Sequence, residues 1–311
     1  MVTRRQLLGG TALALLSGCT GMTPTGTDGE DATDTPAGTS ASTTADGTYT
    51  QTPHTGCQPG AVDVDGTCEV AASGQNAEIF DVTGLSPITA ERTTVGTAPG
   101  YLTRPDDDST YPAVVMIHEW WGLNENIERM AEILAGHGYV VFAVDLYDGE
   151  VATDSERASE LSGRVRENPD EAVATMSSAV EGLRGRPDVT GRVASLGWCF
   201  GGGQSLQLSL SDADLDATVI YYGTLATDQA TLEQIDGPVL GIFGSEDQVV
   251  PLEDVRTFDA TLDEIGVEHE VFVYEGAGHA FANPSGESFR PDNTMDAWEK
   301  TLEFLDTSLP L

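Results

Sequence analysis

Three short segments of the chain carry side chains that could act together as nucleophile, base and orienting acid. Gly197-Trp198-Cys199-Phe200-Gly201 places a cysteine at the centre of a G-x-C-x-G run. It follows the apolar stretch Arg192 to Leu196 and opens the helix-like stretch Phe200 to Leu210. Small residues around the cysteine suit a sharp strand-to-helix turn where backbones come close. A helix N-terminus behind the thiol favours the thiolate and offers backbone N–H groups to an oxyanion. Alone, this run is weak, because a buried structural cysteine is the commoner fate of the residue. Gly244-Ser245-Glu246-Asp247 brings a carboxylate directly after a strand-like run, and Gly276-Ala277-Gly278-His279 brings a histidine after the next. Taken singly, Asp247 also reads as a helix N-cap and His279 as a loop histidine. Taken together, the order nucleophile, acid, histidine describes a Cys-His-Asp triad. Cys199 attacks, His279 carries the proton and Asp247 orients the imidazole, with Glu246 the competing acid.

Such a triad needs a scaffold that brings distant loops to one edge. From Ile79 onward, strand-like and helix-like stretches alternate. Strands are expected at Pro112 to Ile117, Tyr139 to Val144, Arg192 to Leu196, Ala217 to Tyr222, Val239 to Phe243 and Glu270 to Tyr274. Helices are expected at Asn124 to Ala135, Ser155 to Val165, Pro169 to Leu183, Phe200 to Leu210, Leu252 to Ile265 and Thr294 to Leu305. Continuous apolar strands between amphipathic helices predict an α/β fold, a mostly parallel sheet covered on both faces. Ligands bind such sheets beyond the carboxyl ends of the strands, where the three segments fall.

A fourth segment is more specific. Ile117-His118-Glu119-Trp120-Trp121-Gly122-Leu123 ends a strand where the second oxyanion N–H of such a site lies. With Asp145-Leu146-Tyr147, the Cys199 turn and the Asp247 and His279 loops, the sequence from about Gly100 to Leu305 resembles the dienelactone hydrolase family of the α/β-hydrolase superfamily. The resemblance implies the α/β-hydrolase fold and favours Asp247 over Glu246. It implies an oxyanion hole built from the Trp120 and Phe200 backbone N–H groups, and a Glu119 carboxylate that restrains the thiol at rest. A negative charge there disfavours a thiolate and would slow oxidation of an exposed thiol. His118 reads as a satisfied histidine at a buried strand end, and a tryptophan of the pair as a wall of the acyl site. The pattern departs from the family in one respect. Family members acting on carboxylate-bearing lactones hold that carboxylate with arginines, one shortly after the histidine. Here that stretch reads His279-Ala280-Phe281-Ala282-Asn283-Pro284, and Arg157 is the candidate for the other. The expected activity is hydrolysis of small carboxylic esters or lactones without cofactor or metal. The alternatives are a hydrolase of non-lactone esters and a non-catalytic ligand-binding lipoprotein on the same scaffold.

The 311 residues include 51 acidic and 14 basic side chains, a formal net charge of -37, and Lys300 is the only lysine. Such a surface repels nucleic acid and anionic bilayers. It is also what a protein in concentrated salt shows, where counterions screen self-repulsion, so a halophilic source is expected. Thr3-Arg4-Arg5-Gln6-Leu7-Leu8 and the apolar run to Leu16 resemble a twin-arginine export signal; the run falls short of the about 20 residues of a membrane span. Leu16-Ser17-Gly18-Cys19 resembles a lipobox, which makes Cys19 the lipid-bearing residue and the lipid the only membrane contact. Residues 1–19 are thus read as the signal and residues 20–55 as an acidic Thr/Gly/Asp linker, disordered by composition. Residues 56–78 form a short segment with Cys57 and Cys68, and residues 79–311 the hydrolase domain. On the exported side Cys57 and Cys68 suit a disulfide; a metal site with His54 and Cys57 lacks a four-ligand set. The sequence leaves the oligomeric state open.

Overall fold

Apolar runs with no polar alternation become strands covered on both faces. The computed structural model describes residues 54–57, 61–64, 67–70, 80 and 82–310, the first three stretches without their side chains. The strands are β1 (His54–Cys57), β2 (Ala61–Val64), β3 (Thr67–Val70), β4 (Ile88–Val95), β5 (Ala98–Pro105), β6 (Tyr111–Ile117), β7 (Val140–Val144), β8 (Val189–Trp198), β9 (Ala217–Tyr221), β10 (Val239–Gly244) and β11 (His269–Tyr274). The helices are α1 (Glu125–Gly136), α2 (Ser155–Glu167), α3 (Pro169–Arg184), α4 (Phe200–Ser209), α5 (Gln229–Leu232), α6 (Leu252–Ile265) and α7 (Pro291–Ser308). The signal, Cys19 and nearly all of the linker lie outside the described residues. So does the expected Cys57–Cys68 pairing, because neither side chain is described.

One nine-stranded sheet runs β1-β4-β5-β7-β6-β8-β9-β10-β11. From β7 through β11 neighbouring strands are parallel, while β1, β4 and β5 form an antiparallel margin. Within each central strand, alternate residues go to opposite faces, as a pleated strand requires. Val114 and Met116 of β6 join the face packed by α1 and α7, and Ala113, Val115 and Ile117 join the face packed by α3. All five of these side chains are fully buried, each contributing about 1.5–3 kcal/mol when the side chain is large. This two-sided burial explains why the runs looked continuous rather than alternating.

Two features depart from the expected elements. The β4–β5 hairpin was not anticipated: β4 alternates poorly, with several half-exposed positions, and its signal reduces to a tight turn at Gly96, φ +61. The antiparallel margin also reaches into the segment assigned to the linker, since β1 pairs His54 with Ala90 and Thr55 with Thr89. Elsewhere the helix boundaries follow local signals. Asn124 Oδ1 accepts the Ile127 N–H at 3.2 Å and Asp154 Oδ1 accepts the Arg157 N–H at 2.8 Å, each capping a helix start. Pro169 opens α3, and Gly266, φ +75, ends α6 in the left-handed conformation.

The chain order creates one crevice. It runs from β6 outward to β7, then returns to β8 on the other side of β6. At that reversal the loops after β6 and β8 diverge to opposite faces, opening a gap at their carboxyl ends. Glu119 and Cys199 sit there.

Candidate active site

Cys199 stands between β8 and α4 with φ 55 and ψ -116, a conformation that L residues rarely adopt. The close-packed backbone around it sustains the strain. Cys199 N–H donates to the Tyr221 carbonyl at 3.0 Å, and the Cys199 carbonyl accepts from Gly203 N–H at 3.2 Å. A Cβ on Gly201 would lie 2.3 Å from the Ile117 carbonyl oxygen, and one on Gly197 2.2 Å from that of Gly201. Glycine is therefore required on both sides of the turn. Cys199 is partly exposed.

The loops after β10 and β11 complete a chain of hydrogen bonds. Cys199 Sγ lies 3.1 Å from His279 Nε2, and His279 Nδ1 lies 2.8 Å from Asp247 Oδ2. The other Asp247 oxygen, Oδ1, accepts the N–H groups of Val249 at 2.7 Å and Val250 at 2.9 Å. The Asp247 side chain is sealed from solvent, whereas neighbouring Glu246 is exposed. That geometry separates the two candidate acids. Burial disfavours charge on His279, but hydrogen bonds to Asp247 and Cys199, and their negative charges, outweigh it and lift its pKa to about 10.

The segment after β6 supplies the rest. Among the described residues, neither the Trp120 N–H nor the Phe200 N–H donates to a protein acceptor. Trp120 and Trp121 pack edge to face at 5.0 Å and, with Tyr147, Phe200 and Cys199, form one apolar cluster beside the thiol. Arg166 lies 5.6 Å over the Phe200 ring. His118 is fully buried; burial lowers its pKa, and both ring nitrogens have partners in Glu119 O and Leu146 N.

Glu119 is also buried, but it is not hydrogen-bonded to the thiol. Its Oε2 accepts a hydrogen bond from Asn283 Nδ2, while the thiol faces His279. Asn283 Oδ1 accepts from Ser285 N–H at 2.9 Å, which fixes which end of the amide faces Glu119. Burial pushes the Glu119 carboxyl up to about 7, against the opposing effects of His279 and Asn283. Arg157 is held on both sides, by Glu150 and by Glu160 at 2.5 Å.

Tyr222 was not anticipated. It is fully buried with φ 37, its ring 5.3 Å from the His279 ring, and its hydroxyl has no hydrogen-bond partner among the described residues. Burial, then the charges of Glu119 and Cys199, keep the phenol protonated. Its only signal in the sequence was a tyrosine at the end of an apolar strand. A cleft of about 280 Å³ bounded by Asp145, Tyr147, Arg164 and Glu171 holds none of the expected site residues.

Comparison with known proteins places this geometry. A family model described as the dienelactone hydrolase family matches residues 98–309. "Protein usf" of Aquifex pyrophilus is 32% identical over 212 residues, covering 66% of this chain and 91% of that protein. A "Putative carboxymethylenebutenolidase" of Aquifex aeolicus is 31% identical over 217 residues, covering 68% and 93%. The solved structure called "m3DLH" superposes with a TM-score of 0.65 at 26% identity, covering 71% of this chain and 99% of that one. The matched span includes the β6 segment, the Cys199 turn and both downstream loops. This chain is an α/β hydrolase that belongs to the dienelactone hydrolase family.

Proposed function

We propose that the protein hydrolyses carboxylic esters or lactones through a thioester formed on Cys199. The observation that carries this reading is the unbroken run from Cys199 Sγ through His279 to buried Asp247, at 3.1 and 2.8 Å. His279 takes the thiol proton, and the sulfur attacks the acyl carbon. The negative charge on the carbonyl oxygen is met by the Trp120 and Phe200 N–H groups, which are free to receive it. His279 then protonates the leaving alkoxide, so the first product departs with the proton taken from the thiol. Water, deprotonated by His279, attacks the thioester carbon, and the acid leaves as the thiol regains its proton.

Glu119 acts on this cycle through charge. Burial raises the Glu119 carboxyl to about 7, and when it ionises its charge biases the His279 imidazole toward the protonated form. Substrate recognition follows from what the arginines do. Asn283 stands after the histidine and is spent on Glu119, and Arg157 is spent on Glu150 and Glu160. Asn283 is an amide and the Arg157 guanidinium is paired, so neither is the expected carboxylate holder, and the reading covers neutral esters as well as lactones.

The Arg4-Arg5 signal and Cys19 support export and a lipid tether on the outer face of the cell membrane, with the acidic surface suited to high salt. Hydrolysis of a panel of neutral and anionic lactones and aryl esters in concentrated salt, by wild type and Cys199→Ala, tests the proposal. Turnover in wild type alone is expected. Equal turnover in Cys199→Ala refutes the nucleophile, and binding without turnover favours a ligand-binding lipoprotein. An unmodified Cys19 in the mass of membrane-extracted protein refutes the tether.

A further inference from the structure

His118 lies one residue beyond the end of β6 and is 0% exposed, yet both ring nitrogens meet polar partners. Nε2 is 3.3 Å from the Leu146 backbone nitrogen, and Nδ1 is 2.6 Å from the Glu119 carbonyl oxygen. A backbone N–H can only donate, so Nε2 is the acceptor and carries no proton. The single ring proton of the neutral imidazole therefore sits on Nδ1 and is donated to the Glu119 carbonyl. Burial keeps the ring neutral.

The carbonyl of Glu119 and the N–H of Trp120 belong to one peptide unit. No cis peptide bond occurs among the described residues, so these two groups point in opposite directions within one plane. Holding the carbonyl from one side aims the Trp120 N–H to the other. Gly122 N–H donates to the same carbonyl at 3.2 Å, and Tyr147 Oη donates to the Trp120 carbonyl at 3.2 Å, fixing the next peptide as well. The His118 ring also stacks on Phe200, with centroids 5.8 Å apart and planes 20° apart, and meets the Tyr147 ring edge-on at 4.6 Å. One buried imidazole thus grips the peptide carrying the first N–H and packs against the residue carrying the second.

We propose that His118, as the neutral Nδ1–H tautomer, is the positioning residue of the oxyanion hole, with Tyr147 as its second support. This rests on the reading that Cys199 attacks a carbonyl whose oxygen lies between the Trp120 and Phe200 N–H groups. His118 touches neither substrate nor thiol and acts only through the orientation of the Glu119–Trp120 peptide.

Three variants separate the arms of the ring. His118→Phe keeps the stacking and removes both hydrogen bonds. His118→Asn can keep the donor near the Nδ1 position, and His118→Gln the acceptor near the Nε2 position. For each, kcat and KM are measured on p-nitrophenyl acetate, together with the rate of Cys199 alkylation by iodoacetamide. Alkylation needs the ionised thiol but builds no oxyanion. His118→Phe should lower kcat about 100-fold, the scale for one lost oxyanion donor, while KM and alkylation stay within about twofold. His118→Asn should recover most of kcat, and His118→Gln should not. Should His118→Phe fail to fold, the Asn and Gln pair carries the test, with Tyr147→Phe expected to lower kcat about tenfold at unchanged alkylation. Retained kcat in His118→Phe overturns the proposal, as does equal recovery by Asn and Gln. A parallel fall in kcat and alkylation also overturns it, because that reports a general disturbance of the thiol. If Cys199→Ala hydrolyses the ester as well as wild type, the underlying nucleophile reading has failed instead, and the proposal falls with it.

Discussion

Asp247→Asn is the most informative perturbation of the hydrogen-bonded chain, because the structure dictates which way the new amide must face. Asp247 Oδ1 accepts two backbone N–H groups, from Val249 and Val250. Only the carbonyl oxygen of an asparagine can replace it there. The NH2 group is then left at the Oδ2 position, facing His279 Nδ1, where it can only donate. That forces the imidazole into the tautomer with its proton on Nε2, pointing at the Cys199 sulfur, so it cannot accept the thiol proton. The energetic scale follows from His279. Its rise from 6.5 to about 10 corresponds to about 5 kcal/mol favouring the imidazolium, at 1.36 kcal/mol per tenfold change in proton affinity. The hydrogen bond to Asp247 is the largest contribution that raises it. The same substitution in a serine triad costs about 10⁴-fold in kcat. A thiol ionises far more readily than a hydroxyl and depends less on its base, so about 10³-fold is expected here. Steady-state hydrolysis of an activated ester reports kcat, and the pH dependence of Cys199 alkylation reports the imidazolium. The reasoning is refuted if Asp247→Asn keeps kcat within about tenfold of wild type with an unchanged alkylation profile.

Other consequences follow from single features. Glu119 is raised from 4.5 to about 7 by burial, so its contribution to folding is fully present below pH 4.5 and lost as pH rises through 7. Glu119→Gln should therefore match wild type in denaturant unfolding at pH 4.5 and exceed it by about 3 kcal/mol above 7; a pH-independent difference contradicts the assignment. Gly201→Ala places a Cβ 2.3 Å from the Ile117 and 2.5 Å from the His118 carbonyl oxygen and should cost about 3 kcal/mol or prevent folding. Gly163→Ala, in α2 with open space around it, should instead gain about 0.5–1 kcal/mol, both effects read as changes in Tm. With 51 acidic against 14 basic residues, Tm should climb steeply between about 0.1 and 3 M KCl, and a salt-independent Tm would remove the case for a halophilic surface.

Much of this arrangement was legible in the residues themselves. The helix Leu252–Ile265 has the bounds its sequence predicts, and α4 starts at Phe200, directly after the Cys199 turn, as expected. The central strands lie within a few residues of their apolar runs, because burial on both faces leaves a strong signal. The β4–β5 hairpin was hidden because its strands are half exposed at the sheet margin, where polar and apolar residues mix. At the site, chain order and strand ends pointed to Cys199, Asp247 and His279, and the structure brings the three into hydrogen-bond contact. What the sequence could not convey was long-range pairing. Glu119 meets Asn283, 164 positions away, rather than the thiol, and nothing local to either residue announces that partner. The Tyr222–His279 ring contact and the Leu146–His118 hydrogen bond likewise join segments far apart in the sequence.

The central claim, a thioester on Cys199, is tested most directly by trapping it. The protein is mixed with an activated ester, quenched in acid within the first turnovers and digested for mass analysis. The expected result is the acyl mass on the peptide bearing Cys199, removed by hydroxylamine and absent from Cys199→Ala, which does not turn over. An acyl group on another side chain, or undiminished hydrolysis by Cys199→Ala, would contradict the account.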